Sequence, residues 1–155
     1  MTQIFRGTLS GEGLNIAIVV SRFNEFVTLR LLNGAKAALS KHSVSEDNLV
    51  VVDVPGSMEL GVAAKKLAGS GKFDSVICLG AVIRGETDHY EHVASQAASA
   101  ASNISIDTGV PVIFGVLTTD TVEQAINRAG GKNGNSGYNC AVTAIEMSNL
   151  LRLLP

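Results

Sequence analysis

The sequence predicts a three-layer α/β/α sandwich around a four-stranded parallel sheet, with a short additional strand at the amino terminus. Three observations carry that expectation. Four short runs, "LNIAIVVS" (14–21), "NLVVVDVP" (48–55), "SVICLGAV" (75–82) and "VPVIFGVLT" (110–118), are β-branched and almost continuously apolar. That is the pattern of strands covered on both faces of a parallel sheet. The stretches between them are long enough for right-handed crossovers, and they repeat apolar residues at three-and-four spacing, as amphipathic helices do.

Taken in order, "TQIFRG" reads as a strand with no place in its own sheet, and is expected to pair with a neighbouring subunit. Residues 25–42 set Val27, Leu31, Ala35 and Ala38 along one stripe. Residues 57–68 do the same with Leu60, Ala63, Ala64 and Leu67, and residues 88–104 with Val93, Ala97, Ala101 and Ile104. The fourth strand is followed by "TVEQAINRA" (121–129), a glycine-rich loop "GGKNGNSG" (130–137) and a closing helix, "CAVTAIEMSNLLRLL", opened by Cys140. Strand and helix alternate as in a flavodoxin-like, doubly wound sheet. With no linker, repeat or low-complexity tract, residues 1–155 are expected to form one domain.

Composition narrows the function classes. Charged residues make up 17% of the chain and hydrophobic residues 46%, against about 25% charged in an ordinary soluble domain. No apolar run reaches the ~20 residues that cross a bilayer, so the shortfall points to surface covered by other copies of the chain. Net charge is −2 without a basic cluster, which argues against nucleic acid as a partner. The start, "MTQIFRGTLSGEG", lacks a secretory signal pattern. Cys78 and Cys140 belong to no CxxC pair and read as free thiols in a reducing cytoplasm.

Ligands of open parallel sheets bind beyond the carboxyl ends of the strands. Those ends carry "SRFNEF", "PGSMEL", "AVIRGETDHYEH" and, around the fourth strand, Phe114 and "LTTD". His89 and His92, three apart, share a helix face. Zinc needs three or four ligands and no HExxH or CxxC supplies them, so no metal is expected. A histidine near a helix amino terminus tends to stay neutral and suits proton transfer; it suits a solvated first turn equally well. "RGET" offers backbone N–H groups to an anion. Arg128 can clamp an anion bidentately or sit as an ordinary last-turn cation. Phe23 can stack on a flat ring or cap the core. Ser57 is sufficiently explained as a helix cap.

Held together, "SRFNEF", "PGSMEL", "GAVIRGETDHYEHV", "GVLTTDTVEQAINRAG" and "CAVTAIEMSNLL" resemble, in that order, the 6,7-dimethyl-8-ribityllumazine synthase family of riboflavin biosynthesis. The resemblance covers the chain from about residue 4 onward. It implies a transferase that condenses 5-amino-6-(D-ribitylamino)uracil with 3,4-dihydroxy-2-butanone 4-phosphate, without metal or organic cofactor. Carried over by motif, His89 is the general acid/base and Phe23 stacks on the pyrimidine. Ser57, Met58 and Glu59 hold the ribityl chain and ring edge, and Ala81, Val82 and Ile83 present backbone groups to the uracil. Glu86 and Thr87 begin a phosphate pocket that Arg128 completes. His92 receives no role.

The resemblance further implies a site shared between subunits of a pentamer, with Phe114 and Arg128 reaching in from the neighbouring chain. The short "GGKNGNSG" loop favours twelve pentamers closed into an icosahedral shell of sixty subunits. The sequence departs from many members at Ser136, where they carry lysine, and at Asn139, where they carry an acid. Losing both together avoids a stranded charge and leaves Arg128 and Lys132 to meet the phosphate. Alternative readings are an archaeal-type riboflavin synthase, a flavodoxin-like flavin-binding module, and a structural shell whose site has decayed. The long third junction, the absence of a phosphate loop in "SRFNEF", and the intact His89 and Arg128 stand against these respectively.

Overall fold

The computed structural model describes residues 1–155. Four strands form one parallel sheet in the order β2-β1-β3-β4: β1 (Ile16–Ser21), β2 (Leu49–Val54), β3 (Ser75–Ile83) and β4 (Val112–Thr119). Register runs Ile16 with Leu49 on one side of β1 and Ile16 with Ser75 on the other, while Val76 pairs with Val112. Alternation divides the core in two. Ile16, Ile18 and Val20 face the layer of α1 (Glu25–Lys41) and α5 (Ser136–Leu153), together with Leu31 and Ile145. Ala17 and Val19 face α2 (Leu60–Ala68) and α3 (His89–Thr108), together with Ala64 and Ala101.

The helices follow the anticipated stripes. Val27, Leu31, Ala35 and Ala38 are completely buried. On α2, Leu60 and Ala64 are buried while Ala63 and Leu67 pack partly against the same core. Helix α3 runs four residues past its expected end and stops at Gly109, whose φ of 70° is the left-handed conformation a helix terminator needs.

Three expectations are corrected. The second strand is not buried on both faces: β2 is an edge strand, and Val50 and Val51 are 41% and 42% exposed. A valine run reads the same whether helices of its own chain cover it or nothing in its own chain does. The glycine-rich loop is a small antiparallel hairpin, β5 (Ala129–Gly131) with β6 (Gly134–Asn135), following a short α4 (Val122–Asn127). The last helix starts four residues before Cys140, because the Asn135 side chain accepts from Tyr138 N–H at 3.1 Å and caps it.

The amino-terminal residues form no strand within the chain. They are fastened from residue 7 onward. A Cβ on the buried Gly7 would collide with the Glu146 carbonyl of α5, and Asn149 donates to the carbonyls of Thr8 and Ser10 at 2.9 and 2.8 Å. Ile4, at 80% exposure, projects from the segment before that anchor.

Candidate functional site

A doubly wound sheet opens a crevice where its winding reverses, here between β1 and β3. Strand β3 outruns β1: their pairing ends at Val20 with Leu79, whereas β3 pairs with β4 up to Ile83 with Thr119. The edge of β3 over Ala81, Val82 and Ile83 is therefore not paired by β1. The alternation that sends Arg84 N–H to the Thr119 carbonyl turns the peptide groups of Ala81 and Ile83 toward the crevice and those of Val82 toward β4. That space is a cleft of about 390 Å³.

Backbone contacts bring three strand ends together around it. Arg22 N–H donates to Val54 carbonyl at 2.9 Å and Phe23 N–H to Pro55 carbonyl at 3.1 Å, so the chain leaving β1 continues alongside β2. Asn24 then takes a left-handed conformation, φ 63°, which asparagine tolerates better than most residues. Its Nδ2 donates to the Ala81 carbonyl at 2.9 Å. Phe23 is thereby held at the cleft with 69% of its surface exposed, so it is not a core cap.

After β2, Gly56 precedes a 3-10 turn at Ser57–Glu59. The helix-cap reading of Ser57 is corrected: Gly56 holds the N-cap position without a side-chain bond, and Ser57 is buried with its hydroxyl above Gly80. A Cβ on Gly80 would come within 2.6 Å of the Ser57 Oγ, so the cleft floor needs glycine there. Met58 is half exposed and, with Ser57 and Glu59, lines the same wall.

The opposite wall is the β3–α3 junction. Thr87 and His89 line the cleft, and His89 is the first residue of α3. His92 lies a turn further along, exposed, and is not among the lining side chains. No group of three or more metal-ligating side chains converges anywhere in the chain. Both cysteines are free. Burial pushes the Cys78 thiol up to about 12, with a smaller contribution from Cys140, and burial pushes Cys140 up to about 11.

Nine of the anticipated residues thus meet in one cleft: Phe23, Ser57, Met58, Glu59, Ala81, Val82, Ile83, Thr87 and His89. Glu86 is an exposed neighbour on the loop that carries Thr87. Phe114 and Arg128 do not line it. Phe114 sits on the edge strand β4, 39% exposed. Arg128 is exposed at the end of α4, where its carbonyl accepts from Ser136 N–H at 2.8 Å, closing the hairpin. Sequence reasoning passed over Asn24 and Tyr90, the latter lining the cleft with the Arg84 guanidinium 4.7 Å above its ring. Tyr90 had a usable signal, its place beside His89. Asn24 had none without the fold.

The family model for 6,7-dimethyl-8-ribityllumazine synthase matches residues 13–152. The chain belongs to the lumazine synthase family. The match includes every junction that builds the cleft and omits only the amino-terminal arm and the last three residues. A lumazine synthase family member is a biosynthetic transferase of riboflavin formation, and no helix of the chain is long and apolar enough to cross a membrane.

Proposed function

We propose that this chain, one domain over residues 1–155, condenses 5-amino-6-(D-ribitylamino)uracil with 3,4-dihydroxy-2-butanone 4-phosphate to give 6,7-dimethyl-8-ribityllumazine, phosphate and water. The observation that carries the reading is the split in the candidate site. An aromatic face, a free strand edge, a buried hydroxyl and a histidine share one cleft, while the one candidate phosphate-clamping arginine stands outside it.

The pyrimidine stacks on exposed Phe23 and lies along the Ala81–Ile83 edge, where it hydrogen-bonds the Ala81 N–H and the Ile83 peptide groups that β1 leaves unpaired. Its ribityl chain runs along Ser57–Glu59. The amine attacks the ketone and expels water to form an imine, phosphate departs by elimination, and ring closure expels a second water. His89, at the cleft edge, moves the protons these steps require. Glu86 and Thr87 open the phosphate pocket at the α3 amino terminus, where backbone N–H groups favour an anion. Arg128 and Phe114 complete the site from a neighbouring subunit.

Self-association is supported by the apolar surface left uncovered in a single chain. Val50 and Val51 lie on the β2 edge, and an apolar groove of about 320 Å³ runs beside β4, between Ile106 and Leu151. Extended across a neighbour, the arm bearing Ile4 supplies the strand that β2 lacks. A pentamer, closed twelvefold into a shell and working in the cytoplasm, is the assembly we assign.

The test is lumazine formation from the two substrates, followed by absorbance and fluorescence in EDTA-containing buffer. Turnover well above the spontaneous rate is expected. A folded, assembled protein giving no acceleration would leave a flavin binder or an inactive shell.

A further inference from the structure

Helix α3 begins badly. Asp88, at its N-cap position, makes no side-chain bond to the first turn. Across Gly85, Glu86 and Thr87 no backbone N–H finds a partner in the chain. Glu86 and Asp88 precede the first turn, Glu91 lies in it, and Asp120 approaches from the end of β4. Carboxylates suit a helix amino terminus, but none of these caps it. A helix start with unpaired, uncapped backbone is prone to fray, yet His89 is its first residue.

One side chain answers this. The Arg84 N–H donates to the Thr119 carbonyl at 2.8 Å, extending the β3–β4 ladder one residue past Ile83. Its Nε donates to Asp120 Oδ1 at 3.0 Å, and a terminal nitrogen lies 3.9 Å from Glu91 Oε1, too far for a hydrogen bond but close enough to offset its charge. The guanidinium plane rests 4.7 Å from the Tyr90 ring centroid. Arg84 therefore touches two successive residues of the first turn, Tyr90 beside His89 and Glu91 after it, while tied to β4 on its other side. All three charged side chains are more than half exposed, and exposed pairs contribute little to global stability. What the cluster fixes is local geometry.

We propose that Arg84 is a positioning residue, clamping the first turn of α3 to the end of β4 so that His89 is held at the cleft. Arg84 is not itself among the cleft-lining residues. The inference rests on the proton-transfer role proposed for His89.

Lysine keeps the charge toward Asp120 but loses the planar stack and the fork. Arg84→Met is expected to lower kcat about tenfold by misplacing the base, with KM for both substrates within about twofold. Arg84→Lys should recover part of the loss. In a His89→Ala background, Arg84→Met should add nothing, since groups acting through one another are not additive. Native hydrogen exchange supplies a readout independent of turnover: backbone amides of residues 92–95, which bond the carbonyls of the first turn, should lose protection in Arg84→Met while β3 and β4 keep theirs.

An unchanged kcat in Arg84→Met, or full additivity with His89→Ala, overturns the proposal. So does a raised KM for the ketone phosphate at constant kcat, which would make Arg84 an anion ligand. If the wild-type protein shows no turnover, the functional reading fails by itself, and exchange at residues 92–95 still decides the clamp: unchanged protection overturns it.

Discussion

Asn24 Nδ2 donates to the Ala81 carbonyl across 2.9 Å, joining the chain that leaves β1 to the strand end that floors the cleft. Asn24 also holds φ 63°, the left-handed conformation that turns Phe23 toward the opening. Two substitutions separate these roles. Asn24→Gly keeps the backbone conformation and loses the bond; Asn24→Val loses both, with a β-branched residue forced into a strained region. The glycine variant should destabilise by about 1 kcal/mol and the valine variant by about 2–4 kcal/mol. Both should raise KM for the aromatic amine, in the same order. Denaturant unfolding alongside saturation curves checks both.

The His89 side chain makes no hydrogen bond within the chain and stands at the cleft wall. Its removal should therefore spare folding and assembly while slowing product formation. A factor of about a hundred is expected, the low end for acid–base groups, because amine–ketone condensation proceeds slowly unaided. His92→Ala, exposed and outside the cleft, serves as the matched control and should leave turnover unchanged.

Close approach of α1 and α5 rests on glycine. A Cβ on Gly137 would collide with the Leu31 carbonyl oxygen, and one on Gly34 with the Asn135 side chain that caps α5. The Leu31 clash is with backbone and cannot be relieved by a rotamer. Gly137→Ala should destabilise by about 1–3 kcal/mol through overpacking, read as a lower denaturant midpoint with an unchanged slope. Gly34→Ala meets a side chain that can yield, and should be milder.

The buried thiols predict an alkaline weakness. Cys78 is held protonated up to about 12 and Cys140 to about 11, against an ordinary 9.0. Below 9.0 both states keep their protons and the thiols leave stability independent of pH. Above it the unfolded chain releases protons that the folded chain retains, so stability falls as pH rises through the window up to the folded values. Replacing Cys78 by Ala should flatten this decline relative to wild type, measured by denaturant unfolding between pH 8 and 11.

How far the sequence discloses this molecule depends on where each signal lives. Strands β1, β3 and β4 are legible because parallel strands are runs of apolar residues, and the helices because their stripes are periodic. The exposure of β2 is not, since Val50 and Val51 register only as apolar and the sequence does not say what covers them. The start of α5 hides behind "NSGYN", whose residues favour turns as readily as caps. In the cleft, Phe23 and His89 stand out as unusual residues at strand ends. His89 and His92 are inseparable by spacing; the curvature of the β3–α3 junction chooses between them. Asn24 and Arg84 act through partners 57 and 36 residues away, which no local pattern reveals.

The separation of Arg128 from the cleft makes the sharpest test of the proposed site. Arg128→Ala should raise KM for the butanone phosphate about ten- to a hundredfold, the worth of a charge-assisted clamp, and leave KM for the amine nearly unaltered. If Arg128 serves a neighbour's cleft, the Arg128→Ala and His89→Ala proteins carry complementary defects. Dissociated, mixed in equal amounts and reassembled, random pairing across each interface restores both residues in about one quarter of sites. Activity should therefore rise well above either variant alone, approaching that fraction of wild type. If each site were built within one subunit, mixing would give only the average of the two parents. The recovered fraction thus distinguishes a shared site from a self-contained one.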